Sequence, residues 1–297
     1  MLYRNLAESD CLAYNAAQRR SNEREGKETA MTFRRDDRRL FDRSANEYDA
    51  IRPGYPEALI EDLIRQSAIP DAGRILEIGC GTGQLTAPLA ARGYEIVAVE
   101  LGEDLARIAS ENLNPYLDAT VICADFERWE PEPDTFDLIT SAQAFHWIDP
   151  EIGYPKAHTA LRPDGHLALI WNLFPGSNTP VYRALHKLYR THAPQLCRRP
   201  GRRPLEERVE RTMREIDASG LFLKPEIRQY PWVASYTKME YTTLLRTFSD
   251  HLALEPAALD RLLGAVGTTI EQCSGTIDRP QVATLFLAQP RESARSV

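Results

Sequence analysis

The stretch RILEIGCGTG at residues 74–83 constrains the fold of this chain more than any other part of it. A short aliphatic run feeding a turn with glycine at 79, 81 and 83, then a helical pattern over 84–92, is a strand–turn–helix unit. Open α/β sheets bind nucleotides at such units, at the C-terminal ends of their strands. Glycine lacks the Cβ that would hold a ligand off the main chain, and it admits positive φ. The spacing is G-x-G-x-G, whereas the dinucleotide fingerprint needs its third glycine at 84, where this chain has Gln84. Glu77 puts a carboxylate just ahead of the turn, where a pyrophosphate would be repelled and a cationic ligand end accommodated.

Further strands are expected at 95–99, 120–123, 136–140 and 166–171, separated by helical patterns at 84–92, 103–113 and 154–161. Such alternation indicates an α/β protein with a doubly wound, mainly parallel sheet. Upstream, Leu40, Phe41, Ala45 and Tyr48 recur at helical spacing until Pro53, Gly54 and Pro56 break the pattern, and a second helix follows at 57–67. Beyond Trp171, helices are expected at 179–192, 205–219, 238–248 and 256–272. The alternating segment EIRQYPWVASYT and a last strand at 281–288 are expected to complete the sheet, with the helices forming a cap. Three regions result: a polar, mobile N-terminal extension at 1–35, a core at 36–175, and a cap with the final strands at 176–297. An alternative start of synthesis is expected at Met31.

With 43% hydrophobic residues in 297, one large core is affordable. The net charge of −7 gives no general pull toward nucleic acid, so none is expected as a partner. Five scattered cysteines without a C-x-x-C pair (Cys11, Cys80, Cys123, Cys197, Cys273) read as reduced thiols in a reducing compartment. No window approaches the ~20 apolar residues of a membrane span. A cytoplasmic monomer or homodimer with no membrane association is the expectation. The six histidines form no metal-ligand spacing, and no metal is expected.

E-x-G-x-G-x-G after the first strand resembles motif I of the class I S-adenosylmethionine-dependent methyltransferases. The resemblance runs through 37–171, because further motifs follow in order. It implies a Rossmann-like fold with a seven-stranded sheet, S-adenosyl-L-methionine as cofactor, and Glu77, Gly79, Cys80, Gly81 and Gly83 at the cofactor. Glu100, ending the second strand, is implied as the ribose ligand, with Leu101 against the adenine. In CADFE, Asp125 is implied at the adenine amino group and Phe126 beside the ring. DLITSAQAFHWI resembles the fourth-strand motif and adds Ser141 to the cofactor set. ANEYDAIRPGYP and YTKMEYTTLLRTFSDHLALEP resemble the trans-aconitate methyltransferase-like branch, in which a tyrosine and an arginine, here Tyr48 and Arg52, close over the methionine end of the cofactor.

His146 is the catalytic candidate, since an imidazole beside a methyl-transfer site can take a proton; the alternative is that His146 and Trp147 only cap the strand. Cys80 reads as a small filler of the turn, with no base linked to it. The asparagine-proline-tyrosine triplet at 114–116 follows a helix, and Pro115 reads as its stop. Arg198, Arg199, Arg202 and Arg203 form either an anion-recognising cluster or a solvated loop. Phe145, Trp147, Trp171, Phe174, Tyr182 and Trp232 wall an acceptor pocket or belong to the core. The expected activity is methyl transfer to a small molecule, at a carboxylate or hydroxyl oxygen. The alternative is a non-catalytic cofactor- or partner-binding protein of the same fold.

Overall fold

The structure, a computed structural model, describes residues 41–42, 44–197 and 205–292. The expected N-terminal extension, the alternative start at Met31, Cys11 and the Arg198–Arg203 cluster lie outside the described residues.

In β1 (Arg74–Ile78) successive side chains point to opposite faces, and every residue after the first is buried, as a central parallel strand requires. It lies in a seven-stranded sheet of order β3-β2-β1-β4-β5-β7-β6. The other strands are β2 (Glu95–Glu100), β3 (Ala119–Cys123), β4 (Phe136–Ala142), β5 (Leu161–Leu173), β6 (Glu226–Thr237) and β7 (Thr276–Ala288). The strands β1 to β5 pair in parallel, while β7 runs antiparallel between β5 and β6. The chain steps outward from β1 to β2 and β3, then crosses back to β4. That reversal opens a crevice at the C-terminal ends of β1 and β4.

Helices cover both faces. On one, α2 (Glu57–Ser67), α3 (Thr86–Ala90) and α4 (Glu103–Leu113) pack Leu59, Leu63, Leu89 and Leu113 on Ile75, Ile96 and Leu138. On the other, α5 (Pro150–Ala160) and α8 (Leu205–Ser219) bring Tyr154, Ala157 and Ile216 onto Leu76, Ile78 and Ile139. A third cluster joins α6 (Pro180–His192), α7 (Pro194–Cys197), α9 (Lys238–Arg246) and α11 (Pro256–Cys273) through Leu185, Leu196, Leu244, Leu262 and Val266. Tyr236 of β6 and Ile277 of β7 belong to it, so the late helices pack on the late strands. Thr237 and Glu240 form a capping box that turns β6 directly into α9. The short α10 (Ser249–Leu252) precedes α11, and α1 (Ala45–Ile51) precedes α2.

Several boundaries differ from expectation: the helix expected at 154–161 starts at Pro150, the helix expected at 238–248 ends at Arg246, and three further differences shape the site. The helix expected over 84–92 is only α3, because Gly83 at φ +97° holds the preceding residues in a turn. Its last bonds, Arg92 N–H to Leu89 O and Gly93 N–H to Ala90 O, span three residues each. The strand expected at 166–171 extends to Leu161–Leu173. The last strand begins at Thr276 instead of 281, with Pro280 inside it. Proline is tolerated there because β5 ends at Leu173, opposite Val282, which leaves residues 276–281 paired with β6 alone. The ends of β6 and β7 thus form a two-stranded ribbon overhanging the C-terminal edge of the sheet.

Candidate active site

The glycine turn has φ of +71° at Gly79, +60° at Gly81 and +97° at Gly83, all in the region that favours glycine. Gly79 N–H donates to Val99 O at 2.8 Å, and Gly81 N–H to Glu100 Oε2 at 2.9 Å. A Cβ at 79 would lie 2.4 Å from Ala144 Cβ; at 81 it would meet the Tyr48 ring at 3.3 Å. The turn is therefore closed from below by β4's exit and covered from above by α1.

Two carboxylates stand behind it. Glu77 is 1% exposed and accepts a hydrogen bond from Thr86 Oγ1 at 2.7 Å. Burial raises its pKa from 4.5 to about 8, against the lowering by Thr86, so the group is protonated near neutrality. Glu100 is also raised by burial, and the N–H groups of Gly102 and Gly81 act in the opposite sense. Cys80 is buried and its thiol is pushed well up by burial, so it offers no thiolate nucleophile.

The α1 segment is fastened at both ends. Asp42 Oδ1 accepts from the N–H groups of Asp104 and Leu105 at the start of α4, at 2.8 and 3.0 Å. Arg52 donates to Thr247 through Nε to Oγ1 at 2.9 Å and Nη2 to the carbonyl at 2.6 Å. Its guanidinium lies between two rings, 4.8 Å from Tyr48 and 4.7 Å from Phe248. Arg279 of the overhanging ribbon continues the stack, 5.5 Å from Phe248 and 4.5 Å from Phe174, whose ring is 5.4 Å from Tyr182. Burial lowers the pKa of Arg52.

Between turn and ribbon opens a cavity of about 660 Å³, mouth included. Glu77, Gly79 and Cys80 line one side, Tyr48 and Arg52 the cover, and Phe248, Tyr236, Arg279 and Gln281 the far wall. Gln143 and Asn172, just past β4 and near the end of β5, line the base. Gln143 has φ +63°, a strained value for a side-chain-bearing residue, and is pinned by its N–H to Ile170 O at 2.9 Å. Gln281 and Tyr236 are 5% and 6% exposed, and Gln281 Nε2 and the Tyr236 hydroxyl have no hydrogen-bond partner. Each costs about 1–3 kcal/mol while unpaired.

Of the residues singled out in the sequence, Tyr48, Arg52, Glu77, Gly79 and Cys80 line this cavity, and Gly81, Gly83 and Glu100 build the turn behind it. Leu101 follows Glu100, half-buried. Asp125 lies past β3 and accepts from Glu127 N–H at 3.1 Å. Phe126 packs into the core on the α5 side, and Ser141 donates to Ile78 O at 2.8 Å, fully buried between strands. His146 sits in the short helix Phe145–Trp147, outside the cavity lining, and its Nδ1 accepts from Trp171 Nε1 at 3.5 Å. Its surroundings lower its pKa by desolvation first, then through Arg208 and Arg211. None of the six aromatics proposed as pocket walls lines the cavity; Phe145 and Trp171 are core. Sequence reasoning missed Tyr55, Gln143, Asn172, Tyr236, Phe248, Arg279 and Gln281. The rule that ligands sit at strand C-termini points to Gln143 and Asn172; Arg279 falls outside the strand expected at 281–288.

Among the described residues, no group of three or more His, Cys, Asp or Glu is arranged to hold a metal, and no helix is long and apolar enough to cross a membrane.

Residues 75–165 match the family described as "Methyltransferase domain". The chain is 35% identical over 144 residues to an uncharacterised methyltransferase of Mycobacterium tuberculosis, covering 48% of this chain and 56% of that relative. It thus spans about half the length of the first curated relatives it matches. It is 28% identical over 213 residues to a malonyl-[acyl-carrier protein] O-methyltransferase of Halalkalibacterium halodurans, 68% of this chain and 76% of that one. The solved structure of a candidate type II methyltransferase from Anaeromyxobacter dehalogenans shares the fold, with a TM-score of 0.55 at 24% identity over 80% of this chain and 96% of that one. Residues 75–165, which hold the glycine turn and strands β1 to β4 of the seven-stranded sheet, are thus the part of the chain that matches a methyltransferase domain.

Proposed function

We propose that the chain is an enzyme that transfers a methyl group from S-adenosyl-L-methionine to an oxygen of a small-molecule acceptor, a carboxylate or a hydroxyl. The observation that carries this reading is the bare turn at Gly79, Gly81 and Gly83, backed by buried Glu77 and Glu100 and opening on the cavity. The residues fit the cofactor: the turn offers bare main chain, with a Cβ excluded at Gly79 and crowded at Gly81, and Glu77 is a buried carboxyl that a cationic neighbour would ionise. When bound, the cofactor supplies a methyl carbon already activated by a sulfonium.

The chain's own residues then hold and orient. Glu77 and the turn face the charged end, Tyr48 and Arg52 cover it, Glu100 takes the ribose, and Leu101 and Asp125 serve the adenine. Positioning two reactants in line supplies most of the acceleration such a transfer needs. A carboxylate acceptor requires no proton acceptor, and a hydroxyl does. Similarity to the malonyl-[acyl-carrier protein] O-methyltransferase supports oxygen as the nucleophile. The α1 and α9–α11 segments support the trans-aconitate methyltransferase-like branch. Calorimetry with S-adenosylhomocysteine tests the reading: binding to the folded chain is expected, and its absence rejects it. Turnover of methyl-labelled cofactor with an extract of source cells separates an enzyme from a protein that only binds.

A further inference from the structure

The far wall of the cavity is not accounted for by the cofactor residues. It is built by the ribbon where β6 and β7 run beyond the end of β5. In that ribbon Arg279 pairs with Ala234 and Gln281 with Trp232, so Arg279, Gln281 and, diagonally, Tyr236 share one face. All three line the cavity. Gln281 Nε2 and the Tyr236 hydroxyl are buried without a partner, although buried polar groups are ordinarily satisfied.

Charge is unbalanced in the same place. Arg279 Cζ lies 4.5 Å from the Phe174 ring centroid and 5.5 Å from that of Phe248, so rings hold the guanidinium at the cavity wall, and a planar guanidinium is suited to bind a carboxylate through paired N–H groups. Among the described residues no carboxylate lies within ion-pair distance of Arg279 or Arg52. Arg52 and Arg208 both feel the positive charge of Arg279, in addition to their burial. Like charges gathered without an anion are costly, and a bound anion relieves them together with the two idle polar groups.

We propose that Arg279, Gln281 and Tyr236 form a subsite for a carboxylate of the acceptor, distinct from the oxygen that receives the methyl group. The inference rests on the methyltransferase reading and deepens it. The acceptor is then a small molecule with an acidic group remote from its reacting atom. One guanidinium fork, an amide and a phenol supply donors for the two oxygens of a singly charged carboxylate.

The test uses the full chain saturated with S-adenosylhomocysteine, titrated with glutarate, with the uncharged diamide glutaramide and with inorganic phosphate. Wild type is expected to bind glutarate and not glutaramide. Arg279→Met, which keeps the aliphatic stem between the rings, is expected to weaken glutarate about tenfold or more, and Arg279→Lys to restore part of it. Gln281→Leu is expected to weaken it less, and S-adenosylhomocysteine affinity is expected to be unchanged in all three. The proposal is overturned if wild type fails to bind glutarate, if glutaramide or phosphate binds in its place, or if Arg279→Met binds glutarate as wild type does. It is also overturned if S-adenosylhomocysteine affinity falls in parallel, since Arg279 would then belong to the cofactor's own site. Failure of wild type to bind S-adenosylhomocysteine at the outset rejects the methyltransferase reading instead, and is seen before any acid is added.

Discussion

Glu77→Gln is expected to change how the stability of the ligand-free protein depends on pH. In the folded chain the carboxyl holds its proton up to about pH 8, whereas the unfolded group releases it near 4.5. Between those values the folded state carries the extra proton, so stability is full below the lower value and falls as pH rises toward the upper one. The linkage relation gives a loss of about 2 kcal/mol between pH 6 and 8, and about 5 kcal/mol over the whole window. Glutamine keeps the shape and cannot ionise, so the variant lacks this slope. Glu100 is also raised and is coupled to Glu77, so the difference between the two curves reports Glu77 together with that coupling. Urea unfolding at pH 6, 7 and 8 measures it. Parallel curves would refute a neutral carboxyl behind the turn. Saturating S-adenosylmethionine should flatten the wild-type slope, because a cation beside Glu77 favours its ionised form.

Other outcomes follow from the same geometry. Gly79→Ala drives a methyl to 2.4 Å from Ala144 Cβ and should abolish S-adenosylhomocysteine binding by calorimetry while the chain still folds. Gly81→Val meets the Tyr48 ring and should do the same, and retained affinity would mean the turn is misread. Leu262→Ala, at a position 0% exposed in the cluster of α6, α9 and α11, should cost about 2–5 kcal/mol in denaturant unfolding. His146→Asn should leave turnover of labelled cofactor within about tenfold, since a true general base contributes at least a hundredfold.

What the sequence disclosed was local. RILEI followed by alternate glycines is one strand and one turn, and α4 falls on its expected residues 103–113 because Gly102 and Asn114 bound an unbroken helical pattern. What it concealed depends on partners far along the chain. Arg52 acts through Thr247, 195 residues away, and only the resemblance pointed to it. Arg279 lies just before the strand expected at 281–288, and only the register of β7 against β5 and β6 shows that the strand includes it, with Pro280 where one neighbour suffices. Ser141 and Phe126 came from position in a motif alone, and what the sequence did not disclose is that Ser141's hydroxyl donates to Ile78 O and Phe126 packs in the core. Gln143's left-handed backbone has no signature in a residue that is not glycine.

The sandwich of guanidinium and ring planes from Tyr48 through Arg52, Phe248 and Arg279 to Phe174 gives the two halves of the cavity a common mechanical element. A molecule seated between the glycines and Tyr48 bears on Arg52, which lines the same cavity. The donor should therefore enter first and the recipient second, an obligatory sequence visible as a dead-end analogue of the recipient inhibiting uncompetitively against the donor in initial-rate kinetics. A random-order pattern would mean that the plates move independently.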